Sequence, residues 1–413
     1  MFQSLTLILS LAAFFGYINH RFFKLPTSIG LMIMALITSG IMVVIQETNH
    51  ELFVTVCQVV EDINFKEVLL DVMLSGLLFA GALHTNLREL LTEKKSIISF
   101  ATLGVLISTI VIAGLLYFGL QLFNYPIDFI YCMLFGALIS PTDPIAVLAI
   151  FKEAKVNKSL ELKISGESLF NDGVGVVVFL TIYMIAKEGS SHFELSETLK
   201  LFAEETIGGL VYGLALGYLG YRMLKSVEDA PKIEVLITVA MAMGGYTLAS
   251  FIHVSGPLAM VVAGLFMGSK LESSVFSEKS KQHIDLFWEL LDELLNAVLF
   301  VLIGLEVLIL TFEYSFLWSG ILAIVVVLIG RVISVYIPLS VIKVPNKQKT
   351  AAVMIWGGLR GGISVALALS ISTELPEREF LVFITYTVVV FSIIFQGLTV
   401  KKLVQRLGLT EGS

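Results

Sequence analysis

Gly166-Glu167-Ser168-Leu169-Phe170-Asn171-Asp172-Gly173 sets two carboxylates inside an apolar segment, residues 163 to 187, long enough to cross a bilayer. An ionised acid at the centre of a membrane helix costs roughly 2.5 to 3.5 kcal/mol, so an acid kept there is a functional candidate with a partner to be found. One hydrophobic segment earlier, Ser140-Pro141-Thr142-Asp143-Pro144 repeats the pattern, with a proline on each side of the acid. Together the two runs point to a cation-handling site within a membrane.

The rest of the chain agrees with that reading. Its 413 residues are 56% hydrophobic and only 15% charged, with a mean hydropathy of +0.90, which marks a polytopic membrane protein. Segments of about 20 apolar residues without barrel-type alternation are helices, so the fold class is all-α. The net charge of -7 is scattered over loops and argues against a nucleic-acid partner. Cys57 and Cys132 offer neither metal spacing nor a disulfide framework, and no cofactor is expected. The first span has no Lys or Arg before it and is not a cleaved signal.

Thirteen spans are expected, near residues 4–20, 26–45, 66–84, 97–121, 127–151, 163–187, 199–221, 233–252, 257–269, 284–310, 316–342, 350–371 and 379–400. Loops after odd-numbered spans, with the tail, hold 21 of the 27 Lys and Arg. The positive-inside rule therefore puts the N-terminus outside and the C-terminus in the cytoplasm. An odd count of this kind divides into two six-helix repeats of inverted orientation joined by one helix, an architecture of transporters. The division is residues 1–190 for the first repeat, 191–228 for the linking seventh span, 229–403 for the second repeat and 404–413 for a short tail.

Thr142-Asp143-Pro144-Ile145-Ala146-Val147-Leu148-Ala149 in span five parallels Arg360-Gly361-Gly362-Ile363-Ser364-Val365-Ala366-Leu367 in span twelve. Prolines in one and glycines at 357, 358, 361 and 362 in the other predict that both helices are broken in mid-membrane, where substrate sites form. By the helical rise, Asp143, Asp172, Arg331 and Arg360 all lie about 12 to 17 Å inside. Ser168 with Asp172, and Glu167 with Asn171, are i,i+4 pairs forming two adjoining polar stripes. Three acids facing two arginines leave one carboxylate without a partner. Burial disfavours its ionised form and a nearby cation favours it, so a proton and a metal ion compete for it. Carboxylate, the hydroxyls of Thr142 and Ser168, and carbonyls freed by unwinding suit a hard cation. That competition is the chemistry of a one-for-one antiport. Arg360 is expected to complement carbonyls within span twelve, and Asp143 amides within span five.

At these residues the chain resembles the monovalent cation:proton antiporter-1 family, the NhaP and NHE type of sodium/proton exchanger. Phe300-Val301-Leu302-Ile303-Gly304-Leu305-Glu306 and Gly357-Gly358-Leu359-Arg360-Gly361-Gly362 add weaker matches to the two motifs above. The resemblance implies Asp172 as the carboxylate that binds cation and proton, with Thr142, Asp143 and Ser168 coordinating directly or through water. It implies a structural pair between Glu167 and Arg331. It also implies a homodimer in which spans 4–6 and 11–13 form a moving core and spans 1–3 and 7–10 the dimerisation part, with the two broken helices crossing. Asn171 before the aspartate is the pattern of electroneutral exchangers. The third span, Asp71-Val72-Met73-Leu74-Ser75-Gly76-Leu77-Leu78-Phe79-Ala80-Gly81, lacks a proline pair found in many of them.

Asp71, Glu289, Asp292, Glu293 and Glu306 fall near span ends, where a solvated acid is expected, and Glu289, Asp292 and Glu293 are also candidates for a cytoplasmic funnel. The six histidines lie at span ends or in loops, and Trp288, Trp318 and Trp356 are expected at lipid or interface. Gly166-x-Ser168 begins like a nucleophile elbow, but Phe170 replaces the second glycine and no histidine shares its depth, so enzyme function is not expected. A cation channel or a sodium-coupled symporter remains the alternative. The compact chain suggests a prokaryotic cell membrane, with Na+ (or Li+) and H+ as the transported ions.

Overall fold

The computed structural model describes residues 2–409 apart from 155, 189–194, 228–229, 273–275, 311–315, 343 and 345. Lys155, His192, Lys343, the end of the tail and the Asp71 side chain lie outside the described residues. Among those described there is no strand; the regular structure is helical, and Asp143 and Leu359 form an isolated antiparallel bridge.

In chain order the helices that build the site and its surroundings include α1 (Phe2–Ile18), α2 (Thr27–Ile45), α3 (Leu74–Leu83), α4 (Val105–Leu122), α5 (Phe129–Ile139), α6 (Ile145–Ala154), α7 (Lys158–Glu188) and α8 (Leu195–Ser226). They continue as α9 (Pro231–Phe251), α10 (Gly256–Leu271), α11 (Glu278–Glu306), α12 (Leu317–Val341), α13 (Lys347–Gly357), α14 (Gly362–Ser370) and α15 (Arg378–Phe391). Among the described residues, seven continuous helical stretches are long and apolar enough to cross a membrane: Ser4–Phe23, Thr27–Ile45, Lys94–Leu122, Lys158–Lys187, Pro231–Phe251, Leu317–Val341 and Arg378–Leu407. α3, α5 and α10 are shorter apolar helices.

Two segments break where prolines and glycines predict. α5 and α6 are separated by Ser140 to Pro144, and α13 and α14 by Gly358 to Gly361. Pro141 and Pro144 have no amide to donate, so the α-helical ladder cannot run through them.

Packing falls into two groups of neighbours. α4 packs on α5 and α12, α5 on α7, and α15 on α12 and α14, whereas α10 packs on α3 and α8, and α2 on α11. The groups meet where α7 touches α10 and α11 touches α14. Close approach depends on small residues: a Cβ on Gly136 of α5 would collide with the Thr109 carbonyl of α4. Large apolar side chains such as Phe118, Val211, Leu236 and Val341 point outward, as expected of a surface solvated by lipid. Trp318 is exposed, but Trp288 is fully buried and donates to the Thr238 hydroxyl at 2.9 Å, which corrects the interfacial expectation for it. Its indole N–H found a buried acceptor, and an apolar ring with its one polar group satisfied packs as core.

Candidate functional site

The two breaks lie against each other, and their polar groups are satisfied partly across the pair and partly by α7 and neighbouring turns. Asp143 N donates to Leu359 O at 2.8 Å. Thr142 N donates to Asn171 Oδ1 at 3.3 Å, and Ile145 N to Asp143 Oδ1 at 2.9 Å. With Pro141 and Pro144 lacking N–H groups, and Ser140 N bonded to Ala137 O at 3.2 Å, every amide of the first break has a partner. In the second break, Gly358 N donates to Met354 O at 3.1 Å and Arg360 N to the Ser392 hydroxyl at 2.9 Å.

The carbonyls are served by side chains. Arg360 Nη1 donates to Ser140 O and, at 3.1 Å, to Pro141 O. This corrects the expectation that Arg360 serves its own span: its charge sits at the C-terminal end of α5, the other interrupted helix, where the dipole leaves partial negative charge. Asp143 does act on its own span, capping the first amide of α6 as expected. It also abuts Gly361, whose absent Cβ leaves room for its carboxylate. Ser168 Oγ donates to Thr142 O. The unwound carbonyls expected to be free for a cation are thus engaged at Ser140, Pro141 and Thr142, because a break buried among apolar helices carries a large penalty for any group left dry.

α7 carries the two expected stripes. Glu167 pairs with Arg331 of α12 through both carboxylate oxygens, at 2.5 and 3.1 Å, and Arg331 also donates to Met354 O at 3.2 Å from Nε and 2.9 Å from Nη2. Asn171 Nδ2 donates to Thr142 Oγ1 at 2.9 Å. The Glu167–Asn171 stripe therefore faces protein. The Ser168–Asp172 stripe lines a cavity of about 930 Å³, together with Thr142 and Asp143. Asp172 is 9% exposed, and among the described residues no group donates a hydrogen bond to its carboxylate. Of the three acids, Glu167 is spent on Arg331 and Asp143 on the α6 amide, leaving Asp172 to the cavity.

Leu148, Lys152, Glu161, Lys281 and Asp285 line the same cavity. Glu289, Asp292 and Glu293, the funnel candidates, all line it. Glu306 is instead 3% exposed with Oε2 unpartnered, a correction of the solvated reading. Near a segment end, hydropathy alone does not distinguish a wet flank from a helix terminus covered by its neighbours. Ser364, on the cavity wall, and Ser392, which accepts from the Arg360 amide, join the site beyond the residues the sequence nominates. The signal for Ser364 was its hydroxyl inside the glycine-broken stretch; Ser392 carries none.

A profile of the family described as sodium/hydrogen exchanger, transmembrane, matches residues 9–406. The chain is 44% identical over 414 residues to the Na(+)/H(+) antiporter NhaP of Pseudomonas aeruginosa, covering 98% of this chain and 97% of that one. It is 34% identical over 392 residues to the Na(+)/H(+) antiporter NhaH of Halobacillus aidingensis, covering 94% of each. The fold is similar to that of the sodium proton antiporter MjNhaP1 from Methanocaldococcus jannaschii at pH 8, with a TM-score of 0.76 at 20% identity over 98% of this chain and 97% of that one.

Proposed function

Because the chain belongs to the sodium/hydrogen exchanger family, we propose that it exchanges Na+ (or Li+) for H+ across a cell membrane, with both ions competing for the Asp172 carboxylate. One observation carries the reading: a buried carboxylate on the wall of a large cavity, without a hydrogen-bond donor among the described residues while its neighbouring acids are engaged. Such a group is neutralised by whichever ion arrives, and the empty anion resists transfer across the apolar barrier.

Thr142, Ser168 and Asp143 stand on the same wall and are assigned to the ion-binding shell, with the Thr142 and Ser168 hydroxyls as Na+ ligands. Glu167, Arg331, Asn171 and Arg360 hold the crossing in shape. Exchange is one-for-one and electroneutral, because one carboxylate titrates. The helices form thirteen spans in two inverted repeats, residues 1–190 and 229–403. Spans 4–6 and 11–13 move as a core against spans 1–3 and 7–10, which also form a homodimer contact. The cavity then opens to the cytoplasm, the side of the basic loops.

The test is purified protein in liposomes with an internal pH dye, challenged with Na+, Li+ and K+ chlorides. Na+ and Li+ should drive proton flux. Asp172→Asn should abolish it while leaving the detergent melting temperature unchanged. Normal cation-driven flux in that variant would falsify the assignment.

A further inference from the structure

α11 begins beside Lys279 and Lys281 and runs for 29 residues to Glu306, about 43 Å by the helical rise, so its end lies at the membrane face away from the basic loops. That end is held from both groups of helices. Ser39 of α2 donates to Gly304 O at 2.8 Å, and from the other group the buried Tyr386 of α15 donates its hydroxyl to Ile303 O. The Ile303 carbonyl is open to Tyr386 because the helical ladder stops there: Val307 N–H turns to Leu305 O instead.

Glu306 follows Ile303 by three residues, on the same face of α11. It is 3% exposed, and its Oε2 has no partner among the described residues. Glu306 interacts electrostatically with Arg378 and Tyr386, both of α15, and with Glu61 at the end of the helix His50–Glu61. Arg378 is held by its own turn, Nε donating to Ile371 O at 2.9 Å. Two acids against one arginine leave the cluster with one net negative charge. A dry carboxyl oxygen without a partner is a cost to the fold in this state, and it stands where the two groups of helices touch.

We propose that the contact between Tyr386 and Ile303 is the outer gate, and that Glu306 and the Ile303 carbonyl behind it form an alkali-cation site that opens to the external side. A carboxylate and a carbonyl outside the ladder are hard oxygen donors, and a single net negative charge suits a monovalent ion. When α15 withdraws from α11, both oxygens pass from dry to wet. The site rests on the exchange reading and its moving core and extends them: Asp172 couples cation to proton, whereas Glu306 receives the external cation alone.

Right-side-out and everted membrane vesicles, from a host that lacks its own sodium exchangers and expresses the full chain, present the two faces separately. Radiolabelled Na+ uptake driven by an opposed proton gradient, in about 0.3 M choline chloride to screen long-range attraction, gives a half-saturating Na+ concentration for each face. Glu306→Gln should raise it about three- to tenfold at the outer face, the worth of one net polar contact, and leave the inner face unmoved. Its detergent melting temperature should stay level or rise, because the group removed had an oxygen without a protein partner. Tyr386→Phe should act in the opposite sense, lowering half-saturation outside by a similar factor and raising it inside, as the outward-open population grows. An unmoved outer face in Glu306→Gln, or equal shifts on both faces, overturns the site; unmoved values in Tyr386→Phe overturn the gate. Asp172→Asn run in parallel separates the two readings. Its silence, with an unmoved outer face in Glu306→Gln, sinks only the outer site, whereas normal uptake through it sinks the exchange reading first.

Discussion

At the scale of single residues, the pair between Glu167 and Arg331 shows how a buried charge is held. It joins positions 164 apart in sequence, and the guanidinium donates to the Met354 carbonyl as well. Removing one partner leaves the other charged and dry, so Glu167→Ala should destabilise by about 3 to 5 kcal/mol, read as a lower melting temperature in detergent. Replacing both with methionine should recover most of that loss; a double variant no more stable than the single would show that the pair contributes beyond its own charges. Residue types and spacing were enough to nominate Asp172, Asp143, Thr142 and Ser168, and the structure brings all four to one cavity wall. They did not reveal that Glu306 is covered or that Trp288 is core, because burial near a segment end is set by neighbours distant in the chain.

Among elements, the informative objects are the two interruptions. Proline and glycine positions disclosed both, since each chemistry acts locally on the helical ladder. Which break Arg360 serves was not legible: its acceptors, Ser140 and Pro141, are 220 and 219 residues away, and only the crossing brings them within reach. Arg360→Met should leave those carbonyls unpaired and reduce transport more than Arg360→Lys, which retains a donor and a charge but not the fork. Gly361→Ala is expected to be more damaging than a methyl group suggests, because the new Cβ overlaps the Asp143 carboxylate. Overpacking of this kind typically costs about 1 to 3 kcal/mol, and lost flux with partly retained thermal stability is the expected outcome. Wild-type flux would mean that Asp143 has freedom to move aside.

For the molecule as a whole, the predictions concern charge and acidity. If one carboxylate carries both passengers, clamping the membrane potential with potassium and valinomycin should not change the initial rate of Na+-driven proton flux. A rate that follows the imposed potential would require a second titrating group. Competition also fixes the sign of the pH effect: as protons occupy the acid, the half-saturating Na+ concentration should climb with falling pH, approaching about tenfold per unit on the acid side. A value independent of pH would mean separate sites for the two ions. Hydropathy made the all-helical class and the long spans readable, because lipid imposes one rule on every exposed segment. The grouping of α4, α5, α7, α12 and α15 against α3, α8 and α10 was not readable that way, since side-chain shape decides which apolar face meets which.

The contact between Asp143 and Leu359 makes each interrupted helix the splint of the other. One amide, in a gap where neither ladder reaches it, carries the load between two segments far apart in the chain. In deuterium uptake it should behave like the middle of an unbroken rod and stay protected as long as the flanking turns. Labelling at the pace of a surface loop would reveal that the splint comes apart during every turnover.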